Sequence, residues 1–122
     1  MSTRRQDFGI TFTVNVGTTK SLQLTILDPD TGLAKDLSST TLYASSTVKI
    51  YKPDGTQVGN TINASFGTAS DRTAGIMVFT ISGSSQSLLA NAGNWIGEII
   101  FANNAGVTID QQQFGIDIKQ SF

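Results

Sequence analysis

The sequence contains no cysteine and no histidine. Disulfide staples are thereby excluded, and with them thiol nucleophiles, Ser-His triads, the usual zinc ligand sets and common haem ligation. Charge is scarce as well: Lys and Arg number 8, Asp and Glu 9, so the formal net charge of the 122 residues is −1. A nucleic-acid binder engages phosphates through a basic footprint, and none is present, so no nucleic-acid partner is expected. No apolar run approaches the roughly 20 residues needed to span a bilayer. The two arginines of the opening MSTRRQDFGITF are followed by no apolar segment of the kind a secretory signal carries. A soluble chain, made in a cytoplasm and without a membrane partner, is the expectation.

The polar residues are mainly Ser, Thr, Asn and Gln, with a single Glu at position 98. Long charged helix formers are few and Thr suits a pleated, half-buried surface, so the composition leans to β. A chain of this length fits one domain and buries roughly two-thirds of its unfolded surface without a staple. The domain is read as residues 1–122, with 1–7 as an extended N-terminal arm.

Strand periodicity is clear at the start. Phe8, Ile10, Phe12, Val14 and Val16 share one face of an alternating run. Gly17-Thr18-Thr19 breaks it as a hairpin or a sheet-switching turn, and Leu22, Leu24 and Ile26 resume the pattern. Asp28-Pro29-Asp30-Thr31-Gly32 and Lys52-Pro53-Asp54-Gly55 are turns in which Pro presets φ, Asp bonds nearby N–H groups and Gly takes positive φ. Between them, Leu37 and Leu42 are expected to anchor a loop, with Asp36 or Ser38 capping one helical turn. Ser46–Tyr51 follows as a third strand, Thr56–Ala64 as a polar edge strand with Val58 and Ile62 inward, and Phe66–Thr73 as a loop.

The stretch from Gly75 to Ala102 is the most apolar of the chain. Two runs, Gly75–Ser82 and Asn94–Ala102, carry apolar residues on both faces and read as a central strand pair. Gln86–Ala90 between them reads as one helical turn. Asn103-Asn104-Ala105-Gly106 is a hairpin turn. In the last strand Val107 and Ile109 have one parity while Phe114, Ile116 and Ile118 have the other, which a bulge within Asp110–Gln113 would reconcile. About seven strands at this spacing give one all-β, antiparallel β-sandwich.

Few residues suggest chemistry. Asp28, Asp30 and Asp36 cluster, but a calcium loop wants more oxygen ligands and a closing Glu, so the segment is read as a turn with no metal. Glu98 with Asp110 or Asp117 would be a hydrolytic carboxylate pair only if both faced one cleft. The mid-strand setting of Glu98 points instead to a solvated strand position. Trp95 at the start of a central strand is read as core packing rather than a sugar-stacking platform. Arg4, Arg5 and Phe8 at one end and Phe122 at the other are the residues least explained by a core, and are the expected partner interface.

The order of these features resembles a known group. Val48-Lys49-Ile50-Tyr51-Lys52-Pro53-Asp54-Gly55, a Gly75-led strand, Ala92-Gly93-Asn94-Trp95-Ile96-Gly97-Glu98-Ile99 and the closing Phe114-Gly115-Ile116-Asp117-Ile118 look like the immunoglobulin-like N-terminal domain of phage baseplate upper proteins. Other small Ig-like modules of tailed-phage virions are similar too, and the likeness runs from about Thr11 to Ile118. It implies an immunoglobulin-like sandwich without catalytic residues or cofactor. It further implies a structural role in a virion, beside other virion proteins and copies of itself. A tail, baseplate or adaptor position is the first expectation and capsid decoration the second. A carbohydrate-binding module, suggested by Trp95 and the polar loops, is the reading from a different class.

Overall fold

A computed structural model provides the structure and describes residues 11–15, 19–28, 30–57, 61–81 and 93–119. These hold eight strands and one short helix: β1 (Thr11–Asn15), β2 (Lys20–Thr25), β3 (Ser45–Tyr51), β4 (Ile62–Asn63), β5 (Ser65–Phe66), α1 (Ala69–Thr73), β6 (Ile76–Ile81), β7 (Gly93–Ala102) and β8 (Thr108–Lys119). The protein is mostly β, in two sheets. One is five-stranded, in the order β1-β8-β7-β3-β4, and the other three-stranded, in the order β2-β6-β5.

The two sheets share one core because each strand sends alternate residues inward. Leu22 and Leu24 of β2, Val48 and Ile50 of β3, Met77, Phe79 and Ile81 of β6, and Ile99 and Phe101 of β7 are all buried. Phe12, Phe79 and Phe114 stack across the sheets, with ring centroids 5.4 to 6.1 Å apart. Burying each such side chain contributes about 1.5–3 kcal/mol. Gly97 on β7 lies directly opposite Phe114 on β8, and the Phe114 ring occupies the space where a side chain at position 97 would stand.

Several expectations are corrected. The described strands number eight rather than seven, and the sheet is not wholly antiparallel, since β1 runs parallel to β8. The extra strand, β5, arises where the edge segment changes sheets: β4 pairs with β3 and β5 with β6, on either side of Ala64. The two apolar runs that open and close the Gly75–Ala102 stretch are each central, but in opposite sheets, so they face one another across the core instead of pairing. Phe66–Thr73 is not a plain loop. Thr68 accepts from the Asp71 N–H while Asp71 accepts from the Thr68 N–H, a reciprocal cap that starts α1. The bulge falls at Ile109, just before the expected window, because Phe101 opposes Asp110 and Ala102 opposes Thr108.

Other features agree with the sequence. β1 and β2 lie in different sheets, as a sheet-switching connection requires, and the Lys20 ammonium donates to the Thr13 carbonyl across the two edges. Both Asp-rich turns and the Asn103–Gly106 hairpin form. Gly32 N donates to Asp28 O at 2.8 Å, Gly55 N to Lys52 O at 2.9 Å and Gly106 N to Asn103 O at 2.9 Å. The helical turn expected at 86–90, the arm at 1–7 and Val58 lie outside the described residues.

Candidate interaction surface

At one end of the two-sheet core, three segments meet: 26–44 after β2, α1 with the turn into β6, and the β7–β8 hairpin. Little regular structure is present in 26–44, so side chains hold it. Leu37 is fully buried as a plug beneath the end. The Arg72 guanidinium donates from Nε to Leu37 O at 3.0 Å and from Nη2 to Tyr43 O at 2.9 Å. Arg72 also lies 4.1 Å from the centre of the Phe66 ring, and its own carbonyl accepts from Leu37 N at 2.9 Å. Among the described residues no carboxylate pairs with Arg72, so the cation is spent on backbone carbonyls.

Two further ties bind the segment to β8. Gln112 accepts from Leu27 N through Oε1 at 2.9 Å and donates to Thr25 O through Nε2 at 3.4 Å. Lys35 Nζ meets Asp110 Oδ2 at 2.9 Å, and that hydrogen-bonded carboxylate raises the lysine pKa above its usual value. Gly75, with φ +73°, lets the chain enter β6 where any Cβ would stand 2.8 Å from the carbonyls of Ile26 and Lys35. The hairpin closes the end: Asn104 N donates to Thr41 O and Ala44 N to Ala102 O, both at 3.0 Å.

This braced end carries exposed apolar residues. Leu27, Leu33, Leu42, Val107 and Ile109 are the exposed large hydrophobic side chains among the described residues, ranging from 37% exposure for Ile109 to 70% for Leu33. All five lie on segments 27–42 and 107–109, which the Gln112, Lys35 and Asn104 contacts tie together. Single exposed leucines are ordinary on a surface, but apolar residues collected on one rigid end are what contact surfaces are built from. Leu42, expected to anchor a loop, is half exposed instead, and only Leu37 is the plug. The turn there is capped by Ser39 rather than Asp36 or Ser38: Leu42 N donates to Ser39 Oγ at 3.3 Å and Tyr43 N to Ser39 O at 2.9 Å.

The carboxylates are dispersed. Asp28 Oδ1 accepts from Asp30 N at 2.8 Å and Asp36 Oδ1 from Ser38 N at 2.9 Å, so these are turn residues using their oxygens locally. Among the described residues no three potential metal ligands converge. Glu98 lies opposite Lys49 and Gln113 on the outer face of β7, while Asp110 opposes Phe101, a core position. Glu98 and Asp110 therefore sit on opposite faces. Asp117 opposes Asn94, four residues from Glu98, or about 13 Å along a strand, beyond the 9.5 Å limit for a hydrolytic pair.

Trp95 packs half-buried against the core cluster, with the Lys52 ammonium 5.9 Å from its ring centre. Its Nε1 is buried with no hydrogen-bond partner among the described residues, as is Ser46 Oγ. Arg4, Arg5, Phe8 and Phe122 lie outside the described residues. Sequence reasoning missed the apolar end. The available signal was the parity of Val107 and Ile109, opposite to that of Phe114 and Ile116. It also missed Arg72, whose signal was the Thr68-x-x-Asp71 capping pattern. Comparison with protein-family models and with curated proteins gives no match. Among the described residues no helix is long and apolar enough to cross a membrane.

Proposed function

We propose that this protein is a non-enzymatic structural subunit of a tailed-phage virion, an immunoglobulin-like β-sandwich that packs against neighbours in the tail or baseplate. Its partners are other virion proteins and copies of itself, and it uses no cofactor. The observation that carries the packing role is the apolar end, where Leu27, Leu33, Leu42, Val107 and Ile109 are exposed on a scaffold braced by Arg72, Gln112 and the Lys35–Asp110 pair. Rigid apolar surface loses little entropy on docking, which favours a lasting contact. The virion setting rests on the resemblance of segments 48–55, 92–99 and 114–118 to the small Ig-like modules of tailed phages. Strand edges and the chain termini supply the remaining contacts.

Locating the subunit in a reconstruction of the particle tests the role. Density in the tail or baseplate supports the first position. Density on the capsid lattice would move the role to decoration, and a particle lacking the chain would end the virion reading.

A further inference from the structure

β7 departs from the pattern of a strand with one face in water. Such a strand alternates apolar residues inward with polar residues outward. β7 sends Ile99 and Phe101 into the core, yet Ile96 and Ile100 stand on its opposite face. Beside them on β3, Tyr51 opposes Ile96 and Thr47 opposes Ile100. These four residues are half-buried, while Ser45, Asn94, Gln111 and Gln113 around them are exposed. The centre of this outer face is therefore apolar and reachable. We infer that the outer face of β3 and β7 packs on the same face of a second copy, about a two-fold axis running between and along these two strands.

The first support is register. An axis in that position sets β3 of one copy over β7 of the other with no shift along the strands. Each residue then meets the counterpart of its own cross-strand neighbour. Those neighbours are Thr47 with Ile100, Lys49 with Glu98 and Tyr51 with Ile96. One strand further out, Asn63 neighbours Thr47 and Gln111 neighbours Ile100, so Asn63 of each copy meets Gln111 of the other. β-branched residues meet each other, an aromatic ring meets an aliphatic chain, and amide meets amide. The face is complementary to itself.

The second support is charge. Lys49 and Glu98 lie side by side in the middle of this face, both half-buried. Neither has an ion-pair partner among the described residues, where the ion pair joins Lys35 to Asp110. Across the axis, Lys49 of each copy faces Glu98 of the other. Packed sheets lie about 10 Å apart, a span that these two long side chains cover together. The second copy thus gives both charges a partner between two rows that exclude water, where a charge-assisted hydrogen bond is strongest.

Area sets the strength of the contact. Four overlapping strands about 4.8 Å apart and about seven residues long present roughly 19 by 23 Å per copy. The two faces together bury on the order of 900 Å², which is the size class of weak, reversible association. Aligned sheets cross at about 30°, so the rows nearest the axis carry the contact. None of the residues of the apolar end takes part. The inference rests on the proposed role only in that copies of the chain meet, and its test needs no particle.

Sedimentation of the full chain at about 200 μM reads the mass where a contact of this class is populated. The unmodified chain is expected to approach twice its 12.9 kDa. Lys49→Glu sets carboxylate against carboxylate at both contacts, and Glu98→Lys sets ammonium against ammonium. Each variant alone is expected to be a monomer. Mixed in equal amounts, the two match every charge across the axis and are expected to regain the dimer. Like charges remain neighbours within each chain of that mixture, so only pairing between chains restores the mass. Leu42→Asp, at the apolar end, is expected to leave the dimer intact. A monomeric unmodified chain, a dimer of either charge variant alone, or a mixture that stays monomeric would overturn the proposal. Loss of the dimer in Leu42→Asp would assign self-association to the apolar end and overturn it too.

Discussion

Replacing Arg72 by Ala removes the brace beneath the apolar end, and its cost follows from what the guanidinium touches. Two short hydrogen bonds from a charged donor, to Leu37 O at 3.0 Å and Tyr43 O at 2.9 Å, are lost together with a long one to Ser39 O at 3.5 Å and the stacking on Phe66 at 4.1 Å. A hydrogen bond involving a charged group is worth about 1.5–3 kcal/mol, and an exposed cation–π contact about 0.5–1 kcal/mol. Water reaches the part-buried carbonyls once the side chain is gone, so the lower ends of these ranges apply and the expected loss is about 3 kcal/mol. With a urea dependence of about 1.5 kcal/mol per molar, the unfolding midpoint should fall by about 2 M at unchanged slope. Arg72→Lys keeps the charge but not the planar fork and should lose about half as much. Arg72→Met keeps the apolar stem over Phe66 and should lie close to Arg72→Ala. Amide exchange in 37–43 should accelerate in all three. A midpoint within 0.3 M of the unmodified protein for Arg72→Ala, or full retention by Arg72→Met, would refute the brace.

Other perturbations have defined outcomes. Gly97→Ala forces a methyl group against the Phe114 ring, which Phe12 and Phe79 hold in place; overpacking of this kind costs about 1–3 kcal/mol. Adding Phe114→Leu should recover part of that loss, and strictly additive losses in urea melts would contradict the contact. Ser46→Ala removes a buried hydroxyl with no partner among the described residues and should leave stability unchanged or raise it by up to about 1 kcal/mol. Trp95→Phe likewise discards an unpartnered N–H and should cost far less than Trp95→Ala, for which about 2–4 kcal/mol is expected at a half-buried site.

The pH dependence also has a sign. Hydrogen bonds from Ser38 to Asp36 and from Thr56 to Asp54 lower both carboxyl pKa values below 3.8. Their contributions are therefore present above about pH 4 and lost as pH falls through the folded-state values. The urea midpoint should fall less on acidification in Asp36→Asn and Asp54→Asn. Lys35, raised by Asp110, contributes below pH 10.5 and loses that contribution above it.

Strand content and turns were legible in the sequence because their causes are local. Alternation at 20–26 and 45–51 and the Pro-Asp-Gly and Asn-Asn-Ala-Gly turns depend on neighbouring residues alone, and they form as read. What depended on distant partners was not legible. Whether two central strands pair with or face each other is set by topology, so β6 and β7 fell into opposite sheets with no change in their own pattern. β1 alternates identically whether its neighbour runs parallel or antiparallel. The apolar end was hidden for a related reason. Leu42 has the composition of a core anchor, yet it stands half exposed while Leu37 is fully buried and tied through its carbonyl to Arg72. Arg72 itself, a lone cation in a polar segment, gains meaning only from three carbonyls more than twenty-five residues away in sequence.

The central claim is that the end bearing Leu33, Leu42 and Val107 is a packing surface in a virion. The most direct measurement is a particle reconstruction at side-chain resolution. The expected result places this subunit in the particle with 27–42 and 107–109 buried against a neighbouring chain. A subunit found there with that end facing solvent, or a particle without the subunit, would contradict the claim.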